Sequence, residues 1–190
     1  MTNFDLNTYL NLHGSQTRTV FGTWNTGLGR GDFLYLDYVL HEKESVKNII
    51  ELGSMHGLTT VYLGVVSALR DGITVSYDIQ NLVPAHIRSV ANRLPIYFKT
   101  GDVLYDDLVW SEILSELRLP DLMLFCDNGN KELEIARYAK HLKSGDVLMV
   151  HDWMTEVRPE NIAPYLEGFS PLDHEVAEAM QSHLRAWVKQ

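Results

Sequence analysis

The chain has 190 residues, enough for one domain with little left over. Twenty-five Asp plus Glu against 16 Lys plus Arg leave a formal net charge of −9, which excludes the basic face that a phosphate-backbone binder needs. With 45% hydrophobic and 22% charged residues the composition is that of a globular domain with a sizeable core, not of a disordered or collagen-like chain.

In chain order, the first 44 residues read as an N-terminal arm, a Gly-rich stretch GTWNTGLGRGD (22–32) and a leading helix over FLYLDYVLHEK (33–43). Trp24 and Tyr35 are candidates for the wall of a site or a lid, since glycines at that density allow a loop to close. Residues 45 to 190 read as one α/β domain, within which a structural unit recurs. Five β-branched runs, KNIIELG (47–53), ITVSYDI (73–79), PIYFKTGD (95–102), DLMLFCD (121–127) and DVLMVHD (146–152), alternate with stretches long enough for helices. That alternation predicts an α/β, doubly wound, mainly parallel sheet with helices on both faces. Pro84 suits the first turn of a helix running to about Leu94, and Asn130 or Asn128 caps one from Lys131 to Leu142 that ends at Gly145. Of the 38 residues after Asp152, the clearest feature is a helical segment from about Asp173 to Val188, and no strand pair is legible there. An exposed sheet edge then calls for cover by a helix or by a second copy of the chain, which points to a homo-oligomer.

Each strand run places an acid at or near its C-terminal end: Glu51, Asp78, Asp102, Asp127 and Asp152, spaced by 27, 24, 25 and 25 residues. In an open parallel sheet those ends share one edge, so five carboxylates are expected to face the crevice where such sheets bind ligands. Asp also serves commonly as a turn former after strands, but five in one pattern exceed what turns require. In the first strand–loop–helix, Glu51-Leu52-Gly53-Ser54-Met55-His56-Gly57, the glycines allow a tight turn and close approach to a ligand. The dinucleotide fingerprint G-x-G-x-x-G needs glycine where Met55 stands, and the phosphate-binding G-x-x-x-x-G-K-[ST] is absent. Asp78 follows Gly57 by 21 residues, close to the spacing at which an acid grips ribose hydroxyls. A nucleoside without phosphates is the ligand these features suggest.

These motifs resemble those of the class I S-adenosylmethionine-dependent methyltransferases over residues 45 to 153. IIELGSMHG is similar to their first motif, VSYDIQ to the ribose-binding second strand, TGDVL to the adenine-flanking loop, and DLMLFCDNG with KSGDVLMVHDW to the fourth and fifth strands. Within the class the pattern looks most like the cephalosporin-hydroxylase and macrolide-sugar O-methyltransferase branch. The resemblance implies a Rossmann-like methyltransferase fold, transfer of a methyl group to a small hydroxylated acceptor, and S-adenosylmethionine as cofactor. Glu51, Gly53, Ser54 and Gly57 would lie at the methionine part, Asp78 at the ribose and Asp102 near the adenine. Asp127 and Asp152 would hold a divalent metal, usually Mg²⁺. That branch carries an acid where this chain has His151, and catechol-type enzymes carry Asn where it has Trp153. His151 is therefore a candidate ligand or base, and Lys131, four residues after Asp127, a second candidate base. Two other readings stay open: a non-catalytic nucleoside- or nucleotide-binding module, and an NAD-dependent oxidoreductase. No nucleic-acid or membrane partner is expected. The single cysteine, Cys126, reads as a small core residue, and with no legible leader or membrane span it fits a cytoplasmic protein.

Overall fold

The computed structural model describes residues 19–21, 24, 25 and 28–190. A short antiparallel ribbon, β1 (Thr19–Phe21) and β2 (Trp24–Asn25), precedes helix α1 (Arg30–Glu42). The body alternates as the sequence predicts: β3 (Asn48–Leu52), α2 (Leu58–Leu69), β4 (Thr74–Asp78), α3 (Ala85–Ala91), β5 (Ile96–Thr100), α4 (Asp107–Glu116), β6 (Leu122–Cys126), α5 (Lys131–Tyr138) and β7 (Val147–Val150). It closes with α6 (Pro159–Ile162), β8 (Phe169–Pro171), α7 (His174–Ala179) and β9 (Arg185–Lys189). No helix among the described residues is long and apolar enough to cross a membrane.

The seven-stranded sheet runs β5-β4-β3-β6-β7-β9-β8, with β3 to β7 parallel and β9 antiparallel to both β7 and β8. Its central strands are continuously apolar because both faces are covered. On β6, Leu122, Leu124 and Cys126 face the layer built by α4, α5 and α6, while Met123 and Phe125 face the layer built by α1, α2 and α7. Strand order reverses between β3 and β6, so the loops after these neighbours part there and open a crevice at their C-terminal ends.

Local signals explain the helix starts. Asp106 caps α4 by accepting from the Leu108 and Val109 amides. Gly29 leads into α1, its amide donating to Asp32 Oδ2 at 2.8 Å. Pro84 sits immediately before α3, which ends at Ala91, short of the expected Leu94.

Two expectations about the tail are corrected. The segment expected to be helical from Asp173 to Val188 is helical only to Ala179; Gln181 takes a left-handed φ of 54°, and the chain then extends as β9. The terminal strand pair, not legible in the sequence, is present as β8 and β9, with Val150 opposite Arg185 and Pro171 opposite Trp187. Pairing along β7 outweighs the local helical tendency of a short segment. The β7 edge is thus covered within the chain, and the reason for expecting a second subunit over it disappears. Tyr35, expected near a lid, is fully buried in the core with its hydroxyl donating to the Leu172 carbonyl. The loop residues 22, 23, 26 and 27, and the side chain of Trp24, lie outside the described residues.

Trp187 on β9 is buried, with its ring 4.9 Å from His174 and 5.6 Å from Trp153. Truncating a buried Trp costs about 3–5 kcal/mol. Trp187→Ala is expected to lower unfolding stability by that amount in urea titration; a loss under about 1 kcal/mol would mean that the terminal pair is not part of the cooperative core.

Candidate functional site

The crevice is shaped by two glycines. Gly53 has φ of +109°, and a Cβ there would stand 2.4 Å from the Asp127 carbonyl oxygen, so the loop after β3 presses against the chain leaving β6. Gly57, at φ +78°, leads into α2. Between them the loop is fastened to β4: the Gly53 and Ser54 amides donate to the Tyr77 carbonyl, and the Met55 amide donates to Asp78 Oδ2 at 2.8 Å. The close approach expected of Gly53 is therefore to backbone, and it sets the shape of the turn.

The five strand-end acids do not all face the crevice, and this corrects the sequence expectation. Glu51 is fully buried one position before the end of β3, where its Oε2 accepts hydrogen bonds from Thr60 of α2 and Ser76 of β4. Ser54 joins this group through a 2.7 Å bond to Ser76. Glu51 Oε1 has no hydrogen-bond partner among the described residues. Burial pushes the Glu51 carboxyl up to about 8 against the lowering effect of the two hydroxyls, so it is neutral at pH 7. Asp78 is partly exposed and also accepts from the Gln80 amide. Asp102, partly exposed, folds its own loop by accepting from the Leu104 and Tyr105 amides.

Asp127 and Asp152 do converge, and His151 stands between them. Its Nδ1 is 2.8 Å from Asp127 Oδ1 and 3.7 Å from Asp152 Oδ2. One ligand atom from each of Asp127, His151 and Asp152 lies within 4.8 Å of the others. Asp152 reaches this position from a left-handed backbone (φ 59°), and its carbonyl gathers the amides of Thr155, Glu156 and Val157 into a turn. Aspartate tolerates that conformation better than most residues. Lys131, expected on a helix surface or as a base, is buried, its ammonium 2.8 Å from both Asp152 Oδ2 and Glu156 Oε2. Burial lowers its pKa, but the bonds to Asp152 and Glu156 outweigh that and the net shift is upward. Cys126 is buried core as expected, and burial pushes its thiol well up.

Sequence reasoning missed Asp32. From the first turn of α1 its buried carboxylate reaches His151, with Oδ2 3.4 Å from Nε2, while Oδ1 accepts from Ser182 Oγ at 3.1 Å and from the His183 amide. Burial works to raise its pKa, but His151 and the amides of Gly29 and His183 prevail and hold it at about 2. His151 mirrors this. Burial alone would lower its pKa, but Asp127 and Asp32 overcome that and lift it to about 10, so the ring is an imidazolium. The available signal was Gly29-x-x-Asp32, a glycine followed three residues later by an acid at the head of a predicted helix.

Fold and site together define a doubly wound α/β protein with an acidic and cationic cluster beside its topological switch point. No protein-family model matches the sequence, and no curated protein matches it. Among solved structures the fold is similar to "cmcI-D160 Mg-SAM", with a TM-score of 0.63, 17% identity, and cover of 91% of this chain and 78% of that one. It is also similar to a protein from Staphylococcus aureus described as a caffeoyl-CoA O-methyltransferase (TM-score 0.57, 15% identity, 83% of each chain). A third, described as an rRNA-methylase from Clostridium thermocellum, has a TM-score of 0.55 at 14% identity over 84% of this chain and 98% of that one. The Rossmann-like fold expected from the motifs is thus present, with the terminal strand pair included.

Glu51 makes a pH prediction. Above about 4.5 an unfolded glutamate ionises, while the folded carboxyl holds its proton to about 8. The folded state therefore binds more protons in this window, and stability falls as pH rises through it, by a few kcal/mol in total. Denaturant titrations at pH 5, 6, 7 and 8 should show a flatter profile for Glu51→Gln than for wild type. Parallel profiles would mean that Glu51 is ionised when folded.

Proposed function

We propose that the chain is an S-adenosylmethionine-dependent methyltransferase acting on an oxygen of a small hydroxylated acceptor. The observation that carries this reading is the junction at the β3/β6 switch point. There the turn from Gly53 to Gly57, with Asp78 bonded to it, adjoins the Asp127, His151 and Asp152 cluster. The fold neighbours include a protein described with Mg and S-adenosylmethionine and another described as an O-methyltransferase, which supports the same reading.

On this reading the loop after β3 receives the methionine part, Asp78 the ribose hydroxyls and the Asp102 loop the adenine side. The sulfonium of the cofactor supplies an already activated methyl group, so the protein must chiefly align donor and acceptor. The donor set suits a divalent cation: two carboxylate oxygens and one imidazole nitrogen, ligand types that such ions take, lie within 4.8 Å of one another. Asp127 and Asp152 would hold such an ion, which would supply Lewis acidity toward an acceptor hydroxyl. Lys131 presents positive charge beside the cluster, where the acceptor oxygen gains negative charge. Against the lowering effect of burial, its bonds to Asp152 and Glu156 raise its pKa, so Lys131 stays protonated and stabilises that charge, and the proton of the acceptor hydroxyl, made more acidic by the ion, would pass to solvent.

The net charge of −9 favours a small acceptor over a nucleic acid, and a single buried cysteine fits a reducing, cytoplasmic setting. A non-catalytic nucleoside-binding module loses its main support with the presence of β8 and β9. An NAD-dependent oxidoreductase is disfavoured by Met55, which stands where the dinucleotide turn needs its middle glycine.

Calorimetry tests the proposal. S-adenosylhomocysteine should bind and NAD should not. Asp78→Ala, losing charged hydrogen bonds worth about 1.5–3 kcal/mol, should weaken binding roughly tenfold or more. An unchanged dissociation constant would take Asp78 out of the site, and tighter binding of NAD would overturn the cofactor.

A further inference from the structure

His151 occupies a position that makes the cluster chemically unlike an all-oxygen magnesium site. Its two ring nitrogens have different neighbours. Nδ1 faces Asp127 at 2.8 Å and Asp152 at 3.7 Å, inside the cluster. Nε2 faces away, toward Asp32 at 3.4 Å. Asp32 is itself fixed by the Gly29 and His183 amides and by Ser182, so it has little freedom to turn elsewhere. A carboxylate behind the outer nitrogen of a histidine is the arrangement that sets the tautomer of a metal-binding imidazole: it accepts the Nε2 proton and leaves the Nδ1 lone pair pointing at the ion. Neighbouring ligands of an octahedral ion at about 2.1 Å lie about 3 Å apart, and the distances from Nδ1 to the two carboxylates bracket that value; all three donors lie within 4.8 Å of one another, so an ion would draw the carboxylates closer. Lys131 also holds Asp152, its ammonium 2.8 Å from the same Oδ2, so the second carboxylate is fixed by a contact besides the imidazole.

Resting on the proposed methyltransferase reading, we propose that His151 is a nitrogen ligand of the divalent-metal site, oriented by Asp32, and that this Asp–His–Asp set selects a transition-metal dication such as Mn²⁺ or Co²⁺ over Mg²⁺. Imidazole nitrogen suits first-row transition metals, whereas Mg²⁺ takes oxygen ligands and retains its waters. Without an ion, the 2.8 Å contact of Nδ1 with Asp127 Oδ1 is a hydrogen bond, which places a proton on Nδ1. When an ion binds, its bond to Nδ1 replaces the N–H bond and that proton passes to solvent, with no change of oxidation state. Asp32 is a positioning residue that stays outside the coordination shell.

The test is made on the full chain stripped with a chelator and titrated with MgCl₂ or MnCl₂ by calorimetry, with electron spin echo spectroscopy of the Mn²⁺ form. The expected result is nitrogen modulation from a histidine in wild type and its absence in His151→Glu. The preference for Mn²⁺ over Mg²⁺ should fall by about tenfold or more in that variant, whose donor set is all oxygen. Asp32→Asn should weaken Mn²⁺ binding by about 10–100-fold while keeping the nitrogen signal. Should that variant fail to fold, the wild-type spectrum decides alone. Mn²⁺ bound without nitrogen modulation, an unchanged metal preference in His151→Glu, or no binding of either ion to wild type would overturn the inference. S-adenosylhomocysteine titrated into the same samples separates the two readings. Nucleoside binding without a histidine-bound metal removes only this inference, and a histidine-bound metal without nucleoside binding removes the methyltransferase reading instead.

Discussion

One protonated imidazole holds together three carboxylates drawn from separate parts of the chain. Asp32 comes from α1, Asp127 from the end of β6 and Asp152 from the turn after β7, and all three lie within 3.7 Å of a ring nitrogen of His151. Two unit charges about 4 Å apart in a partly buried setting interact by about 4 kcal/mol, so carboxylates this close need a cation among them. The parallel sheet creates the need by delivering strand ends to one edge, and His151 with Lys131 answers it. Through Asp32 the same contact ties the start of α1 to Ser182 and His183, immediately before β9. The electrostatics of the crevice therefore depend on segments far apart in sequence.

The acids of the sheet fall into two groups for a physical reason. Glu51, and Glu134 on α5, are buried away from solvent, and desolvation raises both to about 8, so they act as neutral polar groups. In Glu134 the nearby Lys131 opposes that rise and Asp127 adds to it. Glu51 ties β3, β4 and α2 together beneath the loop that shapes the crevice. Asp78, Asp127 and Asp152 keep partial access to solvent and face groups that donate protons or carry positive charge. One sequence pattern, an acid near the end of each strand, thus serves both packing and chemistry.

The central fold was legible because short β-branched runs and glycine- or proline-marked breaks are local signals, and β3 to β7 fall where those runs predict. Gly53 and Gly57 were legible as turn residues, and both take positive φ. The strand pair β8 and β9 was not. β8 has only three residues, and the run before β9 has helical spacing until Gln181 and Ser182 break it; its extended state depends on pairing with β7, from which it is separated by more than 30 residues. Asp32 was hidden for a related reason: its role arises from a contact 119 residues along the chain, which periodicity does not reveal. Glu51 shared the spacing of the other acids, but sequence alone does not show which strand-end acid is covered by the following helix.

The central claim is that the crevice between the β3 and β6 loops is the seat of a nucleoside methyl donor. A crystal structure of the protein with S-adenosylhomocysteine tests it most directly. The account predicts the ligand at the C-terminal ends of β3 and β4, its ribose hydroxyls on Asp78 and its sulfur turned toward Asp127, His151 and Asp152. A ligand bound elsewhere on the fold, or a crevice left empty at saturating ligand, would contradict it.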